Sequence, residues 1–372
     1  MPGSMRLVDL VQRRVDEFLD AQDSALAGIS PDLATIASAC RDLLAGGKRF
    51  RARFCYWGWA AVATVADEVD PLDESAVHDT LPTVIDAAAA LELFHAAALV
   101  HDDIMDHSDL RRGAPSLHRR FEALHAERGW RGSAPDYGTA TALLVGDLLI
   151  GWSDDLFESG LARVPADAAR AARTEFGLMR SEVTLGQYLD MLEESAWAEI
   201  DEEERLSRAH RVIVYKSAKY SVEAPLLIGA SLAQASLAQL DALRGFGVPL
   251  GVAFQLRDDL LGVFGDSSVT GKPAGDDLRD GKRTVLVDLA RRRLPAGTVR
   301  IIDELLGDPS LDEEQIAMLQ TAFRDSGAVD EVEAIIDRNV RLAAEALAEA
   351  SIARSARDAL LTLANDVTRR RA

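Results

Sequence analysis

The residues best placed to do chemistry lie between Leu91 and Pro115, in the stretch LELFHAAALVHDDIMDHSDLRRGAP. An apolar helical run ends in Asp102, Asp103 and Asp106, and Arg111 and Arg112 follow. At about 3.6 residues per turn, Asp102 and Asp106 share a helix face and Asp103 stands roughly 100° round from Asp102. Gly113 and Pro115 must stop the helix soon after. That end is the negative pole of a helix, where each added anion costs roughly 0.3–1 kcal/mol. Carboxylates gathered at such a cost suggest a bound cation, and the arginine pair suggests that something anionic comes with it.

A second stretch echoes the first. At 250–273 another apolar helix ends in Asp258 and Asp259 and is followed by Gly271-Lys272-Pro273, as Gly113-Ala114-Pro115 follows the first pair. Two such ends facing one another across a helical bundle would make a cage for hard cations. Magnesium suits it best, because that ion takes one or two carboxylates together with substrate phosphates and retained waters. The basic residues beside these acids are Lys48, Arg51, Arg111, Arg112, Lys216, Lys272 and Lys282. One metal-bound diphosphate would need only some of them. The excess suggests two polyanions, one on metal and one on bare lysine and arginine. Metal on a diphosphate makes it a leaving group, and its departure from an allylic carbon leaves a delocalised cation. The protein then contributes charge stabilisation and positioning rather than a nucleophile.

The elements that must hold these groups read as helices throughout. Hydrophobic residues make up 48% and charged residues 27% of the 372, a globular balance, and no long stretch alternates with a period of two. Amphipathic or apolar helices are expected over 5–27, 31–45, from Phe50 to about 69–71, and over 80–107, 139–159, 165–194, 200–230 and 236–264. The helix at 200–230 should break near Lys216–Ser221 and Pro225. Further helices follow at 284–293, 298–306, 311–325 and 327–368. No Pro-, Gly- or Ser-rich linker divides the chain, so one all-α domain is expected. A net charge of −20 speaks against a nucleic-acid partner. Cys40 and Cys55 lack metal-ligand spacing, so a reducing cytoplasm is the simplest home. Neither a secretory leader nor an uninterrupted apolar run of about 18 residues is found.

Taken together, GGKRFR at 46–51, HAAALVHDDIMD at 95–106, LRRG at 110–113, GD at 146–147, GQYLD at 186–190, KSA at 216–218, FQLRDD at 254–259 and the GK pairs at 271–272 and 281–282 resemble the trans-isoprenyl diphosphate synthases over nearly the whole chain. The resemblance implies an all-α bundle of long helices around a deep central cavity, a homodimer, and three Mg²⁺ ions. Isopentenyl diphosphate would be joined head to tail to an allylic diphosphate. By that resemblance Asp102, Asp103, Asp106, Asp258 and Asp259 bind magnesium. Lys48, Arg51, His95 and Arg112 hold isopentenyl diphosphate, while Arg111, Lys216, Lys272 and Lys282 contact the allylic diphosphate. Gln255 and Ser217 line the site near the reacting carbons. No side chain is a clear general base, and in this family the released diphosphate is thought to take the proton.

The chain departs from the family pattern in three places. The second aspartate motif usually carries a third Asp, where this chain has Gly262, and Asp266 is the expected substitute. Ala52 replaces a proline after the GGKRFR arginine, and Ser217 stands where threonine is common. Product length follows from the stripe Phe94, Ala98, Asp102, Asp106. Ala98 lies about 6 Å and Phe94 about 12 Å from Asp102 along the helix axis. In short-chain members, bulky aromatics just before the aspartates stop the growing chain, and here Ala97 and Ala98 are both small. Phe94 is therefore the expected floor and geranylgeranyl diphosphate the expected product, ahead of a farnesyl or longer-chain one. Two rival functions share part of the pattern. A terpene cyclase shares the fold and first aspartate cluster, but needs no second diphosphate site. A non-catalytic partner subunit would typically lack an aspartate cluster.

Overall fold

Leucine and alanine at helical spacing leave few choices, and the computed structural model of the chain is almost entirely helical. It describes residues 2–64, 79–265 and 275–368, with side chains from Arg6 onward. Asp266, Lys272, the turn at 271–273, the helix end expected near 69–71 and the basic tail at 369–371 lie outside the described residues. In chain order the helices are α1 (Pro2–Ile29), α2 (Ala34–Leu44), α3 (Phe50–Ala63) and α4 (Leu81–Met105). A short hairpin follows, β1 (Leu110–Arg111) and β2 (Ala114–Pro115), then α5 (Leu117–Glu127), α6 (Ala134–Leu161), α7 (Ala166–Ala196) and α8 (Glu202–Val212). A π-helix (Ile213–Glu223) leads into α9 (Ala224–Leu232) and α10 (Leu237–Phe264). Last come α11 (Asp276–Arg279), α12 (Val285–Arg293), α13 (Ala296–Leu305), α14 (Glu313–Asp325), α15 (Ala328–Ala348) and α16 (Arg354–Thr368). The packing divides into two compact units. One is Met1–Arg173 with Pro225–Ala235 and Ala353–Ala356, and the other is Thr174–Ala224 with Ser236–Ile352 and Arg357–Ala372.

In the first unit α4 is the central element. It is apolar all round, so every face must be covered. It is also long and apolar enough to cross a membrane, yet 83% of that stretch is buried inside the fold. Its main partner is α6, which presents Gly146, Ser153 and Gly160 at seven-residue spacing. A Cβ at Gly146 would sit 2.9 Å from His101 Cε1, and one at Gly160 would sit 2.9 Å from Asp86 Cβ. Between them Ser153 Oγ donates to the Ala90 carbonyl at 2.7 Å. The small stripe lets the two helices close up at the Asp86 end and beside the aspartates alike. Asp86, 2% exposed, is paired with Arg14 and Arg163.

In the second unit α10 takes the central place, against α15 on one side and the π-helix on the other. Leu256, Leu260, Val285, Leu286, Leu319 and Phe323 form part of its apolar core. Two glycines let the π-helix approach. A Cβ at Gly251 would lie 2.7 Å from Ala218 Cβ, and one at Gly186 would lie 2.7 Å from Lys216 Cα. The backbone carrying Lys216 is thus clamped between α7 and α10. The expected break near Lys216–Ser221 is this π-helix, which widens the turn without interrupting it.

Several expectations change in detail. α5 and the hairpin had no counterpart in the sequence reading. α6 starts five residues earlier than expected, where Ser133 caps it and Pro135 occupies the first turn. The long helix expected over 327–368 breaks between α15 and α16.

Gly186→Ala should cost roughly 1–3 kcal/mol, because backbone of the π-helix blocks the new methyl. On the same helix Gly177 has nothing within 4 Å, so Gly177→Ala should stabilise by up to about 1 kcal/mol. Denaturant midpoints of the two variants would check the contrast.

Candidate active site

In the first unit the aspartates occupy the end of α4. Asp102 and Asp103 lie in its last turn, and Asp106 is the C-cap, its N–H donating to the Asp102 carbonyl at 2.8 Å. The chain then reverses in the hairpin, with Leu110 opposite Pro115 and Arg111 opposite Ala114. Its two turn residues, Arg112 and Gly113, have φ of 55° and 76°. A two-residue hairpin turn of this hand needs positive φ at both positions, which glycine accepts readily and arginine does not. The reversal returns Arg111 to the helix it just left. Its Nε donates to Asp103 Oδ1 at 2.8 Å and its Nη2 to Asp102 Oδ2 at 3.1 Å. Burial works against the guanidinium's charge, but Asp103 and Asp102 outweigh it and hold Arg111 above its ordinary pKa.

Arg112 goes elsewhere. Its Nη1 and Nη2 lie 3.6 Å from where a Cβ on Gly47 would be, so it packs on the glycine turn that opens GGKRFR. That turn is held by Arg49, which has φ 50° and is 6% exposed. Arg49 Nη1 donates to Glu92 Oε2 at 3.0 Å, and its Nη2 donates to Gln12 and the Leu44 carbonyl. The other Glu92 oxygen accepts the Ala52 N–H at 3.2 Å and so caps α3 from a neighbouring helix. A proline at 52 could not donate that bond, which gives the departure at Ala52 a structural use. With Arg49 engaged, Lys48 is left exposed and Arg51 partly exposed. His95, two turns before the aspartates, has its pKa pushed well below the ordinary histidine range. Burial is the main cause, and Arg51, Arg112, Arg111 and Arg49 add to it. His95, Arg51 and Arg112 therefore share one basic patch beside the glycine turn, as an anion site requires.

Upstream on α4, Phe94 is 5% exposed and Ala97 is fully buried, whereas Ala98 keeps accessible surface. Ala97 is thus packed against protein, and Ala98 is the small residue of this pair that keeps accessible surface. Across the same helix His101 contacts the Leu143 carbonyl at 3.3 Å and Asp147 Oδ1 at 3.5 Å. It is a satisfied structural histidine, and Gly146-Asp147 serves helix packing.

In the second unit Asp258 and Asp259 lie near the end of α10. Gln255, one turn earlier, donates from Nε2 to Asp259 Oδ1 at 2.8 Å. Burial raises the Asp259 pKa well above the ordinary carboxylate range, opposed by the Gln255 bond and reinforced by Asp277, Asp258 and Asp190. The lysines gather on α7. Lys216 Nζ donates to Asp190 Oδ2 at 2.5 Å, while Lys282 Nζ stands 3.6 Å from the same oxygen and 3.0 Å from Glu194 Oε1. Ser217 follows Lys216 on the π-helix, half-buried. Among the described residues no three His, Cys, Asp or Glu side chains converge as a ready-made metal cage. In the first cluster the Arg111 guanidinium bridges Asp102 and Asp103, supplying positive charge to both.

The sequence pattern of the polyprenyl synthetases matches residues 34–323. The chain belongs to the polyprenyl synthetase family. It is 30% identical to a short chain isoprenyl diphosphate synthase of Methanothermobacter thermautotrophicus, over 98% of this chain and 99% of that one. It is 35% identical to a geranylfarnesyl diphosphate synthase of Aeropyrum pernix, over 67% of this chain and 70% of that protein. Its fold superposes on a geranylgeranyl pyrophosphate synthase of Corynebacterium glutamicum, solved with isoprenyl diphosphate and magnesium, with a TM-score of 0.89, 37% identity and coverage of 98% and 99%. The chain is a prenyl-transferring, chain-elongating enzyme.

Polyprenyl synthetase motifs thus fall on the residues described above, with some roles the sequence reading missed. Asp190, the last residue of GQYLD, is the acid that holds Lys216 and Lys282. Arg49 and Glu92 support the glycine turn. Truncating Asp103 removes an anion from a helix C-terminus, which taken alone would leave stability intact or slightly improved. The pairing with Arg111 reverses that. Asp103 is 3% exposed, and Asp103→Ala would strip the partly buried Arg111 guanidinium of one partner. Because Arg111 is partly exposed and keeps Asp102, the loss should be about 1–3 kcal/mol, read as a lower melting temperature.

Proposed function

We propose that this enzyme condenses isopentenyl diphosphate head to tail with an allylic diphosphate, and that geranylgeranyl diphosphate is its main product. The observation that carries this is the divergence of the arginine pair. The hairpin sends Arg111 to the aspartates and Arg112 to the glycine turn, so adjacent residues serve two different anions. On that reading Lys48, Arg51, His95 and Arg112 hold isopentenyl diphosphate. Arg111, Lys216, Lys272 and Lys282 hold the allylic diphosphate, with Gln255 and Ser217 beside the reacting carbons. The donor set of Asp102, Asp103, Asp106, Asp258 and Asp259 is all carboxylate oxygen, which fits magnesium. Bound there, Mg²⁺, taken as three ions, would neutralise the allylic diphosphate and make it a leaving group. The C–O bond to that diphosphate breaks, the double bond of isopentenyl diphosphate attacks the resulting allylic carbon, and the new cation loses a proton to the released diphosphate. Arg111 would shift from carboxylate to diphosphate as charge arrives, while neutral His95 can donate or accept a hydrogen bond without adding charge of its own.

We also propose that the two units act as one catalytic domain, supported by a family pattern that draws on both. The expected cytoplasmic setting is consistent with Cys40 and Cys55, both free and buried. A homodimer is supported by the exposed apolar side chains of Leu178, Leu185, Tyr188 and Met191, which recur along α7 at helical spacing. Sedimentation should give the mass of two chains, and a single-chain mass at micromolar concentration would refute the dimer.

Incubation with Mg²⁺, isopentenyl diphosphate and dimethylallyl, geranyl or farnesyl diphosphate should yield a C20 alcohol after dephosphorylation. A chelator should abolish it, and Phe94→Ala should shift the product to C25 or longer. No elongation from any primer would sink the proposal, and a cyclic hydrocarbon from geranylgeranyl diphosphate alone would assign a cyclase instead. An unchanged product from Phe94→Ala would remove Phe94 as the floor.

A further inference from the structure

The second aspartate cluster is short of a carboxylate at Gly262, and the structure shows what occupies that place. An ideal Cβ at Gly262 would overlap the Asp277 carboxylate, lying 2.8 Å even from its farther oxygen. Real Cβ atoms never approach an oxygen so closely, so the space a side chain at 262 would need is already filled by an acid from another element. Glycine at 262 and aspartate at 277 are thus complementary.

Asp277 is held there firmly. It lies in α11, entered through Gly275, whose φ of 73° turns the chain sharply. The next residue, Leu278, is 1% exposed in the core, and its carbonyl accepts the Gly307 N–H at 2.9 Å. The Asp277 carbonyl accepts the Lys282 N–H at 3.0 Å, which ties the acid to the loop that delivers a diphosphate-binding lysine. Among neighbouring charges, Asp277 bears on Asp259 more strongly than Asp258 does.

We propose that Asp277 supplies the third carboxylate of the second metal cluster, replacing by its position in space the aspartate that Gly262 removes from the motif. Asp266 is then not needed for this role. The acid serves the divalent cation that Asp258 and Asp259 hold, as a ligand or through a bound water. The proposal rests on the magnesium reading above, and the experiment separates the two.

Mn²⁺ serves as the probe, its binding to the full chain measured by electron paramagnetic resonance with inorganic pyrophosphate present. Asp277→Asn should weaken Mn²⁺ binding by roughly 10-fold or more with little change in melting temperature. In an Asp277→Gly background, Gly262→Asp should restore affinity to within a few-fold of the starting protein. In the natural background Gly262→Asp should only destabilise, because the site is full. Unchanged Mn²⁺ affinity in Asp277→Asn, with Asp258→Asn weakened, would overturn the role of Asp277 alone. Unchanged affinity in both would overturn the magnesium reading itself. If the paired exchange fails to fold, the Asp277→Asn affinity decides.

Discussion

The basic half of the site depends on one buried carboxylate. Glu92, inside the long apolar helix α4, is only 5% exposed, and a charge so placed survives only if paired and hydrogen-bonded. It meets that requirement with Arg49 on one oxygen and the Ala52 N–H on the other. The same two bonds fix the glycine turn to α4 and start α3. They also use up Arg49, so the basic groups left facing outward are Lys48 and Arg51. Two bonds thus fix the fold locally and engage Arg49 alone among the basic residues of the turn.

The two units solve the storage of charge in opposite ways. In the first, burial lowers the pKa of His95, and the arginines around it lower it further. In the second, burial raises the Asp259 pKa, and the charges of Asp277, Asp258 and Asp190 raise it further. Lys216 and Lys282 are kept in order by Asp190 and Glu194. Each set is an incomplete circuit. By its charge the basic patch suits an anion and the acidic one a cation.

The acid clusters, the long apolar helices and the family were legible in the sequence because they rest on spacing along one helix. Asp102, Asp103 and Asp106 needed only the pitch to be placed. What escaped depends on contacts between distant segments. The positions of Asp190 beside Lys216 and of Asp277 beside Gly262 follow from which segments pack together, and no periodicity encodes that. The division between Arg111 and Arg112 turns on two positive φ values in a hairpin too short to show a strand pattern. The surroundings of Ala97 escaped for a related reason. Its size was known, but whether its methyl faces space or protein depends on packing against neighbouring helices, and that packing buries it completely.

The π-helix at Ile213–Glu223 has a consequence of another kind. Its hydrogen bonds close over one residue more than in an α-helix. Deleting a single residue would let the segment relax into ordinary α-geometry, rotating every side chain beyond the deletion by about 100°. Lys216 and Ala218 could then no longer both meet the glycines that receive them. A change of length in this stretch would therefore disturb both contacts at once, where a change of residue reaches only one.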